Sequence, residues 1–210
     1  KSFGTSGVNS IGSFQLSQLN SSSVQAQLKA AGINTNSKQY KSAVKQMMSA
    51  GNGAMYGNIQ GIKNLMSHYD KDGDYINPVN GLAGLLVTDE NESSRKRIIS
   101  IPDSSKEEMY ELTKKEFLRE NGVCNGDTTK RTDVYNNLYR KMSKKDRLAA
   151  GYTLEKYERI YRQAFYDAAK KADPNWEIGK PIKDGALDSV TRELAESGKS
   201  PAQATLDTKI

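Results

Sequence analysis

The chain has 210 residues, a formal net charge of +6 and a single cysteine. Leu, Ile, Val and Phe together make up 39 residues, just under a fifth of the chain, which is near the lower limit for a folded protein. Eleven Tyr and six Met add apolar surface, so we expect a folded protein with a lean core. One cysteine excludes an internal disulfide and a thiolate zinc site. No run of 18 apolar residues is present that would span a membrane.

The basic residues are mixed with acidic ones along the chain. Residues 1–90 hold 7 Lys or Arg and 5 Asp or Glu, and residues 91–210 hold 24 and 20. Such mixing is typical of solvated helix faces, whereas a nucleic-acid-binding surface clusters its positive charge. The composition therefore does not favour nucleic acid as a partner. It fits a bacterial cytoplasmic protein and, equally, a secreted or cell-surface protein of a Gram-positive bacterium.

The spacing of apolar residues predicts helices over residues 22–31, 36–50 and 54–69 of the first half. Residues 1–20 precede them and are rich in Ser, Gly, Asn and Gln, which predicts a flexible arm. Three apolar side chains of this arm could still dock on the folded part: Phe14, Leu16 and Leu19.

The second half predicts helices over residues 105–122, 132–142, 143–151, 153–173 and 185–197. The first of these opens with the capping box Ser-Lys-Glu-Glu. Gly151 is expected to end the helix over 143–151 and so to separate it from the helix over 153–173.

These elements predict a mainly α protein, an irregular bundle of about seven to eight short helices with little or no sheet. Four segments are expected: a flexible arm at 1–20, a helical module at 21–92, a second helical module at 93–175 and a C-terminal helical segment at 176–210. The polar run before residue 95 favours a boundary there.

Three carboxylates alternate in residues 70–77, a segment named here the Asp loop, directly after the third predicted helix. The side chains of Asp70, Asp72 and Asp74 are expected to point into one concave turn, since Gly73 allows the backbone to bend tightly. This is the pattern that an oxygen-preferring cation needs. The alternative is a solvent-exposed turn whose Asp side chains cap their own backbone.

The Asp loop resembles part of an EF-hand or dockerin calcium loop. The resemblance implies Asp70, Asp72 and Asp74 as Ca²⁺ ligands, with the backbone carbonyl of Tyr75 or Ile76 as a fourth. The glycine that follows the third Asp in an EF-hand is missing, and with that one position deleted Asn80 stands where the bidentate Glu is expected. The implied site is therefore structural and weak, with a Kd of about 10⁻⁴ to 10⁻³ M.

Tyrosines interleave with basic residues between positions 130 and 171, at Tyr139, Arg140, Arg159 and Arg162 among others. Aromatic and cationic groups together can stack on bases or sugars, so binding of nucleic acid or an anionic glycan is the alternative function. At helical spacing the same residues also predict tyrosines at the edge of a core, with cations on the outer face.

A hydrolase with a cleft around His68 and the Asp loop is a third hypothesis. The sequence has no nucleophile elbow, phosphate-binding glycine loop or multi-histidine metal site beside His68. Cys124 lies in a predicted turn and is interpreted as an incidental thiol. Glu116 and Glu120 are interpreted as surface charges.

The chain also resembles uncharacterised, mainly helical proteins of Gram-positive bacteria, through its Ser/Gly/Asn-rich start, residues 70–78 and residues 152–157. That resemblance implies no activity. We therefore expect a non-enzymatic protein that acts by binding another macromolecule, with the Asp loop as a local cation site.

Overall fold

The computed structural model describes residues 13–50, 56–124 and 128–203. It divides the chain into two compact units, Lys1–Leu86 and Val87–Ile210. Eight α-helices and one two-stranded sheet among the described residues confirm the mainly α fold. Residues 1–12 of the predicted arm lie outside the described residues.

The α-helices are α1 Ser22–Ala30, α2 Lys38–Ala50, α3 Ile59–Met66, α4 Glu92–Arg95, α5 Asp103–Arg119, α6 Thr128–Arg140, α7 Arg147–Ala172 and α8 Arg192–Glu196. The strands are β1 Ser13–Gln15 and β2 Tyr56–Asn58, and short 3₁₀ helices cover Leu16–Gln18, Lys144–Asp146 and Pro201–Gln203.

The N-terminal unit packs α1, α2 and α3 around a small core. Strand β1 pairs antiparallel with β2, with Phe14 opposite Gly57. The core consists of eight buried side chains: Phe14, Leu16, Leu19, Val24, Leu28, Ile33, Tyr40 and Ile62. Residues 13–19 thus form part of this unit through their apolar side chains.

The helix predicted over 54–69 begins later than expected. Residues 56–58 form β2 instead, and Asn58 caps α3 by accepting a hydrogen bond from the amide of Gly61 at 2.7 Å. Pairing with β1 gives the backbone of this segment partners outside a helix. The predicted positions 54 and 55 lie outside the described residues.

The C-terminal unit is built on α5, α6 and α7. Phe117 and Phe165 lie fully buried between these helices, and Trp176 packs on Phe117 with a ring-centroid distance of 5.8 Å. Leu187 and Ala195, from the chain after α7, complete the same core.

Several helix boundaries in this unit differ from the sequence prediction. Helix α5 begins at Asp103, directly after Pro102, so Ser105 lies inside the helix, fully buried, and does not act as its cap. Helix α7 runs through Gly151 without a break, and a side chain of α6 lies close against that glycine. Of the predicted helix 185–197, only α8 is α-helical.

Candidate metal centre

The Asp loop forms a closed turn after α3. Tyr69 and Tyr75 pair as an antiparallel bridge across its base. Between them, the amide of Asp70 donates to the carbonyl of Asp74 at 2.9 Å, and the amide of Gly73 donates to the carbonyl of Asp70 at 2.9 Å. Backbone hydrogen bonds within residues 70–74 therefore fix the conformation of this turn.

The carboxylate of Asp70 is held toward the inside of this turn. Its Oδ1 atom accepts hydrogen bonds from the amides of Asp72 at 3.0 Å and Asp74 at 2.9 Å. Asp70, Asp72 and Asp74 each offer one carboxylate oxygen, and these three oxygens lie within 4.8 Å of one another. Oxygens that share one Ca²⁺ at about 2.3–2.6 Å are at most about 5 Å apart, so the spacing fits a common ion.

The fourth predicted ligand, Ile76, lies just beyond the bridge. Its amide donates to the carbonyl of His68 at 2.8 Å, and the residue pairs with Ala83. The structure therefore brings the three carboxylates together and fixes the backbone at Ile76. Metal coordination by the Ile76 carbonyl stays a prediction.

One face of α2 holds the loop in place. The Gln39 side chain donates to the carbonyl of Tyr69 at 2.8 Å, and the Ser42 hydroxyl donates to the carbonyl of Gly73 at 2.7 Å. The Tyr69 hydroxyl donates to the Gln46 side chain. Because residues 39, 42 and 46 are spaced by three and four, they share a face of the helix.

Gly73 is required for two separate reasons. Its φ angle of +81° lies in the left-handed region. In addition, a Cβ atom at this position would lie 2.8 Å from the Ser42 hydroxyl and 3.0 Å from the carbonyl oxygen of Lys38. The sequence explains the first requirement, and the packing against α2 adds the second.

The acidic residues of the N-terminal unit all lie in the Asp loop. Asp70, Asp72 and Asp74 are the only acidic residues of Lys1–Leu86, which also holds seven Lys and no Arg. All the negative side-chain charge of this unit therefore lies in one five-residue stretch.

A model of the family described as a domain of unknown function, DUF3879, matches residues 33–210. The chain belongs to this family. The match begins after α1 and includes the Asp loop and the whole C-terminal unit. No curated protein and no solved structure matches the chain.

In the DUF3879 region, the residues of the alternative site have partners within the fold. Arg159 pairs with Glu155 at 2.8 Å, and Arg162 pairs with Glu158 at 2.7 Å, both along α7. Burial is the main cause that raises the pKa of Tyr139, and the negative charge of Glu155 raises it further. The exposed Arg140 donates to the Asn137 side chain at 3.3 Å. These four residues do not form one exposed group.

Sequence reasoning missed a buried ionic network between α5, α6 and α7. Glu116 was expected on the surface, but it is fully buried. One nitrogen of Arg131 lies 2.7 Å from Glu116 and 2.8 Å from Glu158, and Arg162 completes the chain of charges. Lys and Arg neighbours in the sequence made Glu116 look solvated, because its true partner lies 15 residues away.

Cys124 is buried at 5% exposure and has a φ angle of +53°. Burial raises the pKa of its thiol to about 11, although nearby Arg162 opposes the shift. A thiol of this kind stays protonated near neutral pH, unlike a cysteine nucleophile.

His68 is exposed and lies in the N-terminal unit with the Asp loop. A cavity of about 410 Å³ occurs elsewhere, in the C-terminal unit, between α5 and the start of α8. Its lining includes Glu107, Glu111 and Arg192. The proposed hydrolase residues and this cavity are therefore in different units.

Among the described residues, no helix has the length and apolar character needed to cross a membrane.

Proposed function

We propose that the Asp loop binds a divalent cation, with Ca²⁺ as the preferred ion, and that the ion stabilises the N-terminal unit of a non-enzymatic interaction protein. The observation that carries this proposal is the spacing of the three carboxylate oxygens within 4.8 Å. Carboxylate and carbonyl oxygens are the ligands that Ca²⁺ takes in proteins.

The alternative interpretation, a plain Asp/Gly turn, accounts for the two amides bonded to Asp70. In either interpretation the Asp72 and Asp74 carboxylates lie beside that of Asp70, where like charges repel. A bound divalent ion removes this repulsion.

Binding at this loop would act on the fold of the whole N-terminal unit, because Gly73 within the loop and Tyr69 at its base are hydrogen-bonded to three side chains of α2. An ion that binds only the folded loop stabilises it by mass action. A Gram-positive bacterial origin, which the sequence resemblance implies, would expose an exported chain to calcium at concentrations that suit a weak site.

The interaction part of the proposal draws on exposed apolar side chains that follow the loop in the chain. Val79 is 88% exposed, in a turn fixed by its own amide bonded to the Asn77 side chain at 2.8 Å. Leu86 is 53% exposed. The proposal places an apolar contact with a partner at these two side chains.

The test is thermal unfolding and calorimetric titration of chelator-treated protein with CaCl₂. At ten times a Kd of about 10⁻³ M, the expected stabilisation is about 1.4 kcal/mol. Asp72→Asn should abolish it, since the change removes one of the three carboxylates, while the Asp72 amide that donates to the Asp70 carboxylate is retained. Asp89→Asn, an exposed Asp of the C-terminal unit, is the matched control. An unchanged melting temperature at 10 mM Ca²⁺ would refute the site.

A further inference from the structure

Two segments of the C-terminal unit concentrate its positive charge. Residues 95–97 and 140–147, together named the basic patch, hold eight Lys or Arg and one acidic residue. The rest of residues 87–210 holds 16 basic and 21 acidic residues. Because the basic and acidic residues of the unit nearly cancel, its net charge does not reveal that the basic ones are concentrated in these two segments.

The fold places the two segments side by side. The turn between α6 and α7 is closed by Arg147, whose Nε donates to the carbonyl of Tyr139 at 3.0 Å. Thr153, one and a half turns into α7, donates to the carbonyl of Arg97 at 3.2 Å and accepts from the amide of Ile99 at 3.0 Å. An Arg97 guanidinium nitrogen lies 3.8 Å from the Asp146 carboxylate.

Most cations of the patch are open to solvent. Five of them are exposed: Lys96, Arg97, Arg140, Lys141 and Lys145. Arg97 lies 3.8 Å from the Asp146 carboxylate and Lys141 lies 3.9 Å from that of Glu108, and Lys141 also donates to the Ser104 hydroxyl at 2.8 Å. Ion pairs this long and this exposed are worth little, so they leave the positive charge available to a partner.

We propose that the basic patch binds the phosphate backbone of a double-stranded nucleic acid. Arg guanidinium and Lys ammonium groups are the usual phosphate contacts in protein–DNA complexes. Neither segment contains an aromatic residue, which single-strand binding by base stacking needs. Ile98 is 38% exposed and adjoins the patch, which is little apolar surface for insertion into a membrane.

This inference names a partner for the interaction role proposed above and rests on that role. It does not depend on the ion, because the Asp loop lies in the other unit. Nucleic acid is an unexpected partner from the sequence, because basic and acidic residues are mixed along the chain. The folded chain gathers residues 95–97 and 140–147, which are more than 40 positions apart.

The experiment is fluorescence anisotropy with a labelled 20-base-pair DNA duplex, over a series of NaCl concentrations from 50 to 200 mM. We expect sequence-independent binding, with a Kd of about 10⁻⁴ to 10⁻⁶ M near physiological salt. In Lys96→Gln/Lys145→Gln, the slope of log affinity against log salt should become shallower by about 1.8, which corresponds to two lost phosphate contacts.

The matched control is Lys115→Gln/Lys171→Gln, which removes the same charge from two exposed positions of α5 and α7. Lys171 lies about 36 Å along α7 from Arg147. The control should bind as the natural chain does. Equal weakening in both variants, or no binding at 50 mM NaCl, would overturn the proposal.

Two further arms fix the partner class and separate the two proposals. Tighter binding to the single strand of the same sequence, or to phosphatidylserine vesicles, would overturn the assignment to a duplex. Asp72→Asn should bind the duplex normally with or without Ca²⁺. Loss of its calcium response with intact DNA binding supports both proposals, and DNA binding that requires Ca²⁺ contradicts the independence of the patch.

Discussion

The hydroxyl oxygen of Tyr139 lies 2.6 Å from the point that a Cβ atom would occupy at Gly151. A tyrosine of α6 thus packs on α7 at a position where α7 has no side chain. A glycine inside a helix costs about 1 kcal/mol relative to alanine. The close approach of Tyr139 explains why this cost is retained near the start of a 26-residue helix.

Gly151→Ala should destabilise the protein by about 1–3 kcal/mol, although alanine is the better helix former. The added methyl group would overlap the Tyr139 ring and hydroxyl. Urea unfolding at equilibrium measures the effect. In the Gly151→Ala background, Tyr139→Phe should recover part of the loss, and full additivity of the two changes would contradict the contact.

The same kind of comparison tests the packing of the Asp loop on α2. Gly73→Ala and Gly81→Ala both place a side chain at positive φ, which costs about 1–2 kcal/mol. A Cβ at Gly81 meets nothing within 4 Å, whereas at Gly73 it meets Ser42 and Lys38. Gly73→Ala should therefore cost about 1–3 kcal/mol more than Gly81→Ala in denaturant unfolding. Equal costs would mean that the loop does not press on α2.

Arg131→Met should be strongly destabilising, by about 3–5 kcal/mol, because it leaves the fully buried Glu116 without a cation. Glu158 keeps Arg162 as a partner. Lys115→Met, at an exposed position of α5, should change the free energy of unfolding by less than about 0.5 kcal/mol. Chemical denaturation of both variants at pH 7 measures the difference.

Cys124 predicts a pH dependence of stability in the alkaline range. Burial raises the pKa of the folded thiol to about 11, above its value in an unfolded chain. The unfolded chain therefore loses its proton first as the pH rises. Stability from this group is complete below about pH 8.5 and falls by about 2–3 kcal/mol as the pH passes through 11.

The measurement is the free energy of unfolding from pH 8 to 11 in the natural chain and in Cys124→Ala. The variant should show a smaller decline, since the other groups that ionise in this range are common to both. The native thiol should also react with Ellman's reagent far more slowly at pH 8 than the thiol of urea-unfolded protein. Equal reaction rates would contradict its burial.

Local patterns predicted most helices, because apolar residues three and four apart mark a buried face without knowledge of the partner. The errors came from a competing local signal in one case and from a more distant partner in another. The capping box at Ser105 was overruled because α5 starts directly after Pro102. Gly151 looked like a helix end until Tyr139, 12 residues earlier, was seen to fill its space.

The same limit applies to the sites. The convergence of Asp70, Asp72 and Asp74 is a property of one short turn, so the spacing alone predicted it. The basic patch and the Glu116–Arg131 pair join separate segments, and no local pattern in the sequence reports their proximity. Tyr139 and Arg159 carried the expected chemistry, but their neighbours in the fold decide how much of it faces solvent.

The confinement of all acidic side chains of Lys1–Leu86 to three positions has a consequence in strong acid. Once those carboxyl groups take up protons, every charged side chain left in this half of the molecule is a cation. Mutual repulsion then acts without any internal compensation. The C-terminal unit holds 24 Lys or Arg and 22 Asp or Glu, so the same protonation raises its positive charge far more, and acid-induced opening is expected to start in that unit.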